Sequence, residues 1–247
     1  MTQASYQFAL VRQDLPDGVF ALCMDRFLSL GVENAAFYGI VMNGLRNSIT
    51  AQIAVKMALD AALERALETT SAESDLPLAS NVVRESFKEA NSRVYQYGHR
   101  MGAGGSMGAT GMIASYADSR FTMGRVGDYE GYLIRGGGFL PLFERAEKDI
   151  PKAGVRSRYI GANAQVLVDL ASLEVLSGDL VAFTNLPLTN ETSEVFREAL
   201  DKSLPLTERA TTAVKRVSAL VGAADHQPIL ALLQIGRPTI VLREVVE

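Results

Sequence analysis

One cysteine in 247 residues, Cys23, rules out an intrachain disulfide framework, and with only two histidines beside it no Cys/His zinc cluster can form. Basic residues are not in excess either: 24 lysines and arginines stand against 28 aspartates and glutamates, a net charge of −4, and no Lys/Arg run breaks the balance. Binding along a phosphate backbone needs the opposite, so no nucleic-acid partner is expected. Nowhere do roughly 18 apolar residues follow one another, the length a membrane-crossing helix needs. The opening MTQASYQFALVRQDLPDG lacks a basic region leading into an apolar stretch. The expectation is an unprocessed, soluble, cytoplasmic protein with no membrane association. What the chain does have is apolar residues, 48% against 21% charged, enough for a sizeable core. With no internal repeat, low-complexity tract or composition break, residues 1–247 are expected to form a single domain.

Periodicity divides the chain into strand and helix blocks. Residues 6–12, 19–30 and 35–42 read as strands. Asn47, Ser48 and Thr50 then offer capping oxygens to a helix over 49–67, where Val55, Leu59, Leu63 and Leu67 recur every four residues among alanines. Val83, Phe87, Ala90 and Val94 mark one face of a second helix ending near His99. Strand patterns return over 108–116, 120–126, 131–135 and 139–142, the last after the turn Gly136-Gly137-Gly138, and read together as a meander. A strand at 180–184, helices at 193–200 and 206–221, and strands at 229–235 and 239–245 complete the chain. This order fits an α+β fold, an αββα sandwich in which two antiparallel sheets pack together and helices cover the outside.

Particular segments carry a resemblance. Residues 37–47, FYGIVMNGLRN, followed by the capped helix, are similar to the V-A-D-G-M-G-G strand-turn-helix of the type-2C, metal-dependent serine/threonine protein phosphatases. In the family's order there follow Ala90-Asn91, the MGAT of 107–110, and RVGDYEGYLIR over 125–135, which resembles V-G-D-S-R-A-Y-L-x-R and is the most specific match. Then come RYIG over 158–161, SGDLVAFTN over 177–185, resembling G-D-x-[LV]-x-L-x-[ST]-D, and ADHQP over 224–228 where the family has x-D-N-x-T. The resemblance spans nearly the whole chain and implies the same αββα sandwich.

The family's chemistry implies two Mg²⁺ or Mn²⁺ ions that activate a bridging water for in-line attack on a phosphoserine or phosphothreonine. The metals need carboxylates, and here they are replaced one after another. The segment Cys23 to Phe27, CMDRF, resembles N-E-D-R-F, so Asp25 is kept while the ligating glutamate has become Met24. The bridging D-G aspartate is Asn43, although Gly44 remains; the [ST]-D-G aspartate is Asn185, followed by leucine and proline. Asp225 survives, with His226 beside it, and so does Asp128, which resembles a ligand of a weaker third ion. A carboxylate about 4 Å from a dication is worth on the order of 4 kcal/mol per unit charge at an effective dielectric of about 20, so three losses cost many decades of affinity. Asparagine keeps an oxygen without the charge, and a thioether is too soft a donor for these ions. The phosphate-clamping arginine aligns with Phe20, leaving Arg12 or Arg26 as substitutes. The vestigial metal site is thus Asp25, Gly44, Asp128 and Asp225, with ligands lost at Met24, Asn43 and Asn185. No catalytic residue is expected, and no cofactor beyond a weakly held Mn or Mg.

Simpler roles compete for several of these residues. Aspartates at strand ends and turns usually bond local backbone N–H groups, which would account for Asp25, Asp128 and Asp225. The glycine-rich stretch 101–108 lacks the Lys-Ser/Thr of a phosphate loop and follows a helix, so it reads as a connection. His99 suits a helix C-terminus, His226 a loop, and Cys23 a buried strand position. The reading is a catalytically inactive phosphatase-like protein that binds a protein partner, such as a kinase, a phosphoprotein or a copy of itself. The alternative is an active or weakly active Mn/Mg-dependent phosphoserine/phosphothreonine phosphatase with a rearranged site, which requires further acids such as Glu130 or Asp179 to converge on the cleft.

Overall fold

The structure is a computed structural model and describes residues 6–12, 23–30, 36–44, 48–72, 79–103, 107–143, 159–186, 188–200, 204–221 and 228–236. Three strands open the chain, β1 (Tyr6–Arg12), β2 (Cys23–Leu30) and β3 (Ala36–Gly44), followed by helices α1 (Ile49–Ala72) and α2 (Ala79–Arg100). Next come β4 (Ala109–Ala117), β5 (Arg120–Val126), β6 (Glu130–Arg135), β7 (Gly138–Pro141), β8 (Asp169–Glu174) and β9 (Leu180–Thr184). Helices α3 (Asn190–Ala199) and α4 (Leu206–Val221) and strand β10 (Ile229–Ile235) follow. The strands form two antiparallel sheets, β1-β10-β9-β6-β7 and β2-β3-β4-β5-β8.

Alternation along each strand builds three apolar layers. On β3, Phe37 and Val41 face the other sheet, while Tyr38, Ile40 and Met42 face α1 and α2. On β10, Ala231 and Leu233 point inward, and Leu230 and Leu232 pack under α3 and α4 with Phe196, Val214 and Val217. Each such fully buried Leu, Val or Phe contributes about 1.5–3 kcal/mol relative to exposure. The αββα sandwich follows from this double-sided burial of both sheets.

Helix α1 begins at the expected cap, Ser48 Oγ accepting from the Ala51 N–H at 3.2 Å. Its buried face takes in only the start of the leucine stripe, Val55 and Leu59. A repeat of four overshoots the 3.6-residue turn by about 40° per step, so by Leu67 it has left the core. Leu67 is 43% exposed, while Ala54, Ala58, Ala61, Ala62 and Ala66 are buried and let α1 lie close to α2. On α2 the expected face is the buried one, Val83, Phe87, Ala90 and Val94 all lying in the core.

Three expectations need correction. The four strands over 108–142 are not one meander: β4 and β5 pair in one sheet, β6 and β7 in the other. The crossing falls at Gly127, whose φ of +96° and close approach to Thr110, 2.5 Å from a Cβ placed there to Thr110 Cγ2, admit only glycine. Strand β8 is an addition, unforeseen because DLASLE has no apolar/polar alternation; as an edge strand beside β5 it is held by backbone pairing more than by burial. Helix α3 starts three residues early, because Thr189 and Thr192 form a capping box ahead of the apolar positions. The strand expected over 239–245, and residues 19–22 of another, lie outside the described residues.

Candidate functional site

Two links join the same end of both sheets. The β5–β6 crossing carries the chain from Val126, opposite Gly111, to Glu130, opposite Thr184. Across the sandwich, Arg12 at the end of β1 forms an ion pair with Asp25 on β2. At this end β3 brings Asn43 opposite Cys23 and Thr110, β1 brings Arg12 opposite Ile229, and β9 runs out into Asn185. Because side chains alternate, Asp25 shares the inner face with Phe27, Asn43 with Val41, and Arg12 with Leu10 and Phe8. Asp25 and Asn43 are diagonal neighbours on paired strands, a spacing of about 7–8 Å between α-carbons.

The Asp25 side chain is 13% exposed and that of Arg12 35%. Asp25 Oδ2 is buried without a well-aligned hydrogen bond, so opposition of charge, more than bond geometry, compensates it. Asn43 is 3% exposed, and its Oδ1 is buried with no hydrogen-bond partner among the described residues. Asn185 serves the fold: its Oδ1 accepts the Ile229 N–H at 2.8 Å and fixes the start of β10. Thr184 fastens the same corner, donating to the Ile229 carbonyl at 2.6 Å and accepting from the Leu186 N–H at 3.0 Å.

The other predicted site residues scatter. Met24 lies on the opposite face of β2 from Asp25, packed against the layer under α1 and α2. Gly44 is a buried strand end paired with Ala109. Asp128 is exposed on the β5–β6 crossing. Asp225, His226 and Phe20 lie outside the described residues. Of the two candidate clamp residues, Arg12 is committed to Asp25, and Arg26 donates to the Asp25 backbone carbonyl at 2.9 Å. The additional acids do not converge on the cleft. Asp179 precedes β9 at the far end of the sheet, held by Arg135 at 2.6 and 2.9 Å and by the Leu176 N–H at 2.7 Å. Burial resists its ionisation, but the guanidinium and the amide outweigh it and hold the carboxyl below the usual range. Glu130 accepts from the Tyr132 hydroxyl, on the outer face of its sheet.

Two residues that shape this region had no role assigned from the sequence. Arg125, on the inner face of β5, reaches Asp169 at 3.0 Å and the Tyr129 carbonyl at 2.8 Å and lies 4.3 Å from the Phe143 ring centre, bracing the crossing that carries Asp128. Asn91, buried on α2, accepts from the Gly161 N–H at 2.8 Å and donates to the Asn163 and Ala164 carbonyls at 3.1 and 3.2 Å. It thereby pins the loop whose Ile160 bridges to Ala109. Neither belongs to a periodic pattern; only their place inside the family-like motifs could have singled them out. A cavity of about 280 Å³ lies beside the β6–β7 hairpin, lined by Arg125, Glu130, Tyr132, Phe139 and Phe143, and does not include Asp25 or Asn43.

The donors described do not fit a two-metal centre. Asp25 is neutralised by Arg12, Asn43 offers a neutral oxygen, Asn185 has given its oxygen to a backbone amide, Met24 faces the wrong layer and Asp128 stands in solvent. A dication about 4 Å from the Arg12 guanidinium would meet on the order of 8 kcal/mol of repulsion at an effective dielectric of about 20. Among the described residues no three His, Cys, Asp or Glu side chains gather as a metal site.

No protein-family model matches the chain, and no curated protein does. Solved structures do. PppA, described as a key regulatory component of T6SS in Pseudomonas aeruginosa, superposes with a TM-score of 0.67 at 19% identity, over 94% of this chain and 98% of its own. The serine/threonine phosphatase Stp1 from Staphylococcus aureus gives 0.71 at 15% identity, over 96% of each chain. The catalytic domain of the serine/threonine protein phosphatase PstP, in complex with two manganese ions, gives 0.67 at 16%, over 95% and 100%. The chain has the fold of these proteins, Stp1 and PstP being serine/threonine phosphatases, as the motif resemblance implied. No helix among the described residues is long and apolar enough to cross a membrane.

Proposed function

We propose that the chain is a catalytically inactive protein of phosphatase fold, acting in the cytoplasm as a protein-binding, regulatory module. The observation that carries this reading is the Arg12–Asp25 pair, which spends the acid of the cleft on a protein cation where the related chemistry would need a free metal ligand. The asparagines at 43 and 185 support it, each leaving an oxygen without charge where the resemblance calls for a carboxylate. With hydrolysis gone, the work falls to the surface of the sandwich, and the partner is a protein: a kinase, a phosphoprotein or a second copy.

The test is release of phosphate from phosphoserine and phosphothreonine peptides by chelator-stripped protein, across a Mn²⁺ and Mg²⁺ series, with Asp225→Ala alongside. The expected result is no turnover above that of the variant at millimolar metal. Metal-dependent turnover that disappears in Asp225→Ala would overturn the reading and establish a rearranged active site.

A further inference from the structure

We propose that the Arg12 guanidinium is the resident cation at this end of the sandwich, a fixed internal counter-ion that keeps divalent metal out of a latent site formed by Asp25 and Asn43. The inference deepens the inactive reading above and rests on it, but it concerns binding and is tested without phosphate release.

Three observations meet at one place. Asp25 carries a carboxylate oxygen that is buried, and an ionised carboxylate so placed requires an opposing charge. Arg12 supplies it from the facing sheet, through a side chain long enough to span the sandwich. Arg26 is spent on a backbone carbonyl, so it does not duplicate that role. Diagonal to Asp25, Asn43 holds an Oδ1 that is buried and has no hydrogen-bond partner among the described residues. A carboxylate and an amide oxygen on one face of the sheet are two of the hard oxygen donors that Mg²⁺ and Mn²⁺ prefer. What separates this pair from an ion site is the guanidinium, whose positive charge already faces the carboxylate. The pair also ties β1 to β2 across the sandwich, so the cleft end is held together by the protein itself without metal.

Mn²⁺ binding, followed by the loss of free-ion electron paramagnetic resonance signal, tests this on the full chain. The native protein is expected to leave Mn²⁺ free up to about millimolar concentration. Replacing the guanidinium by a neutral amide, Arg12→Gln, should strengthen binding by at least about tenfold, because removing one unit of repulsion near the ion outweighs a decade of affinity. Arg12→Gln with Asn43→Asp should bind more tightly still, and Mn²⁺ should raise its melting temperature. Adding Asp25→Asn to Arg12→Gln should abolish the gain. Circular dichroism establishes that each variant is folded. The proposal is overturned if the native protein binds Mn²⁺ as well as Arg12→Gln does, or if folded Arg12→Gln and the Asn43→Asp double variant both leave the ion free. Turnover by the native protein would strike the functional reading instead, so the two failures are distinguishable.

Discussion

Asn91→Ala removes three hydrogen bonds at once, and the structure sets what that should cost. The Gly161 N–H, which donates to Asn91 Oδ1 at 2.8 Å in a buried setting, is left without its acceptor, a loss of about 1–3 kcal/mol. The Asn163 and Ala164 carbonyls lose the Nδ2 donor at 3.1 and 3.2 Å; lying nearer solvent, they are partly rehydrated, and each adds about 0.5 kcal/mol. The total is about 2–4 kcal/mol. For a chain of this size that lowers the melting temperature by about 4–16 °C. Calorimetry or urea denaturation measures it, and hydrogen exchange at Gly161 locates it. Asn91→Asp is a diagnostic companion: it keeps an acceptor for Gly161 but turns negative charge on two carbonyl oxygens, so at neutral pH it should recover little of the loss. A change under about 0.5 kcal/mol in Asn91→Ala, or an unaltered Gly161 exchange rate, would refute the assignment of Asn91 as the clasp of this loop.

The Arg135–Asp179 pair should appear in acid denaturation. The folded Asp179 carboxyl titrates below its unfolded value of about 3.9, so its contribution is complete above that pH and is lost as pH falls through the folded value. Arg135→Ala should therefore lower the urea midpoint at pH 7, with the difference shrinking below about pH 4; a difference independent of pH would show that the arginine acts by packing alone. Gly127→Ala should cost about 2 kcal/mol or more, because φ is +96° and the new methyl meets Thr110. Adding Thr110→Ala should return only the steric part, and full recovery in the double variant would show that backbone conformation is not the constraint.

Much of the fold was legible because burial on one face leaves a period in the sequence. The α2 face of Val83, Phe87, Ala90 and Val94 and helix α4 carry that period, while strands β3, β4 and β5, buried on both faces, read as near-continuous apolar runs; all lie where the sequence placed them. Elements held by other forces were not legible. Strand β8 depends on the backbone ladder to β5, and the first turn of α3 on two threonine hydroxyls. The leucine repeat of α1 marked a helix that is there, but a repeat of four drifts around it, and the alanines that pack against α2 look like mere helix formers.

That positions 24, 43 and 185 carry no carboxylate could be read from residue identity alone. What surrounds them could not. Arg12 and Asp25 lie on strands of different sheets, and nothing local in either segment reports the other; only the packing of sheet on sheet makes them an ion pair. The same holds for Asn185 and the Ile229 amide, and for Asp179, which the fold carries to the far end of its sheet. Local composition determined which groups the chain possesses. Long-range packing decided which of them meet between the sheets, because charge compensation depends on distance through space, which sequence separation does not fix.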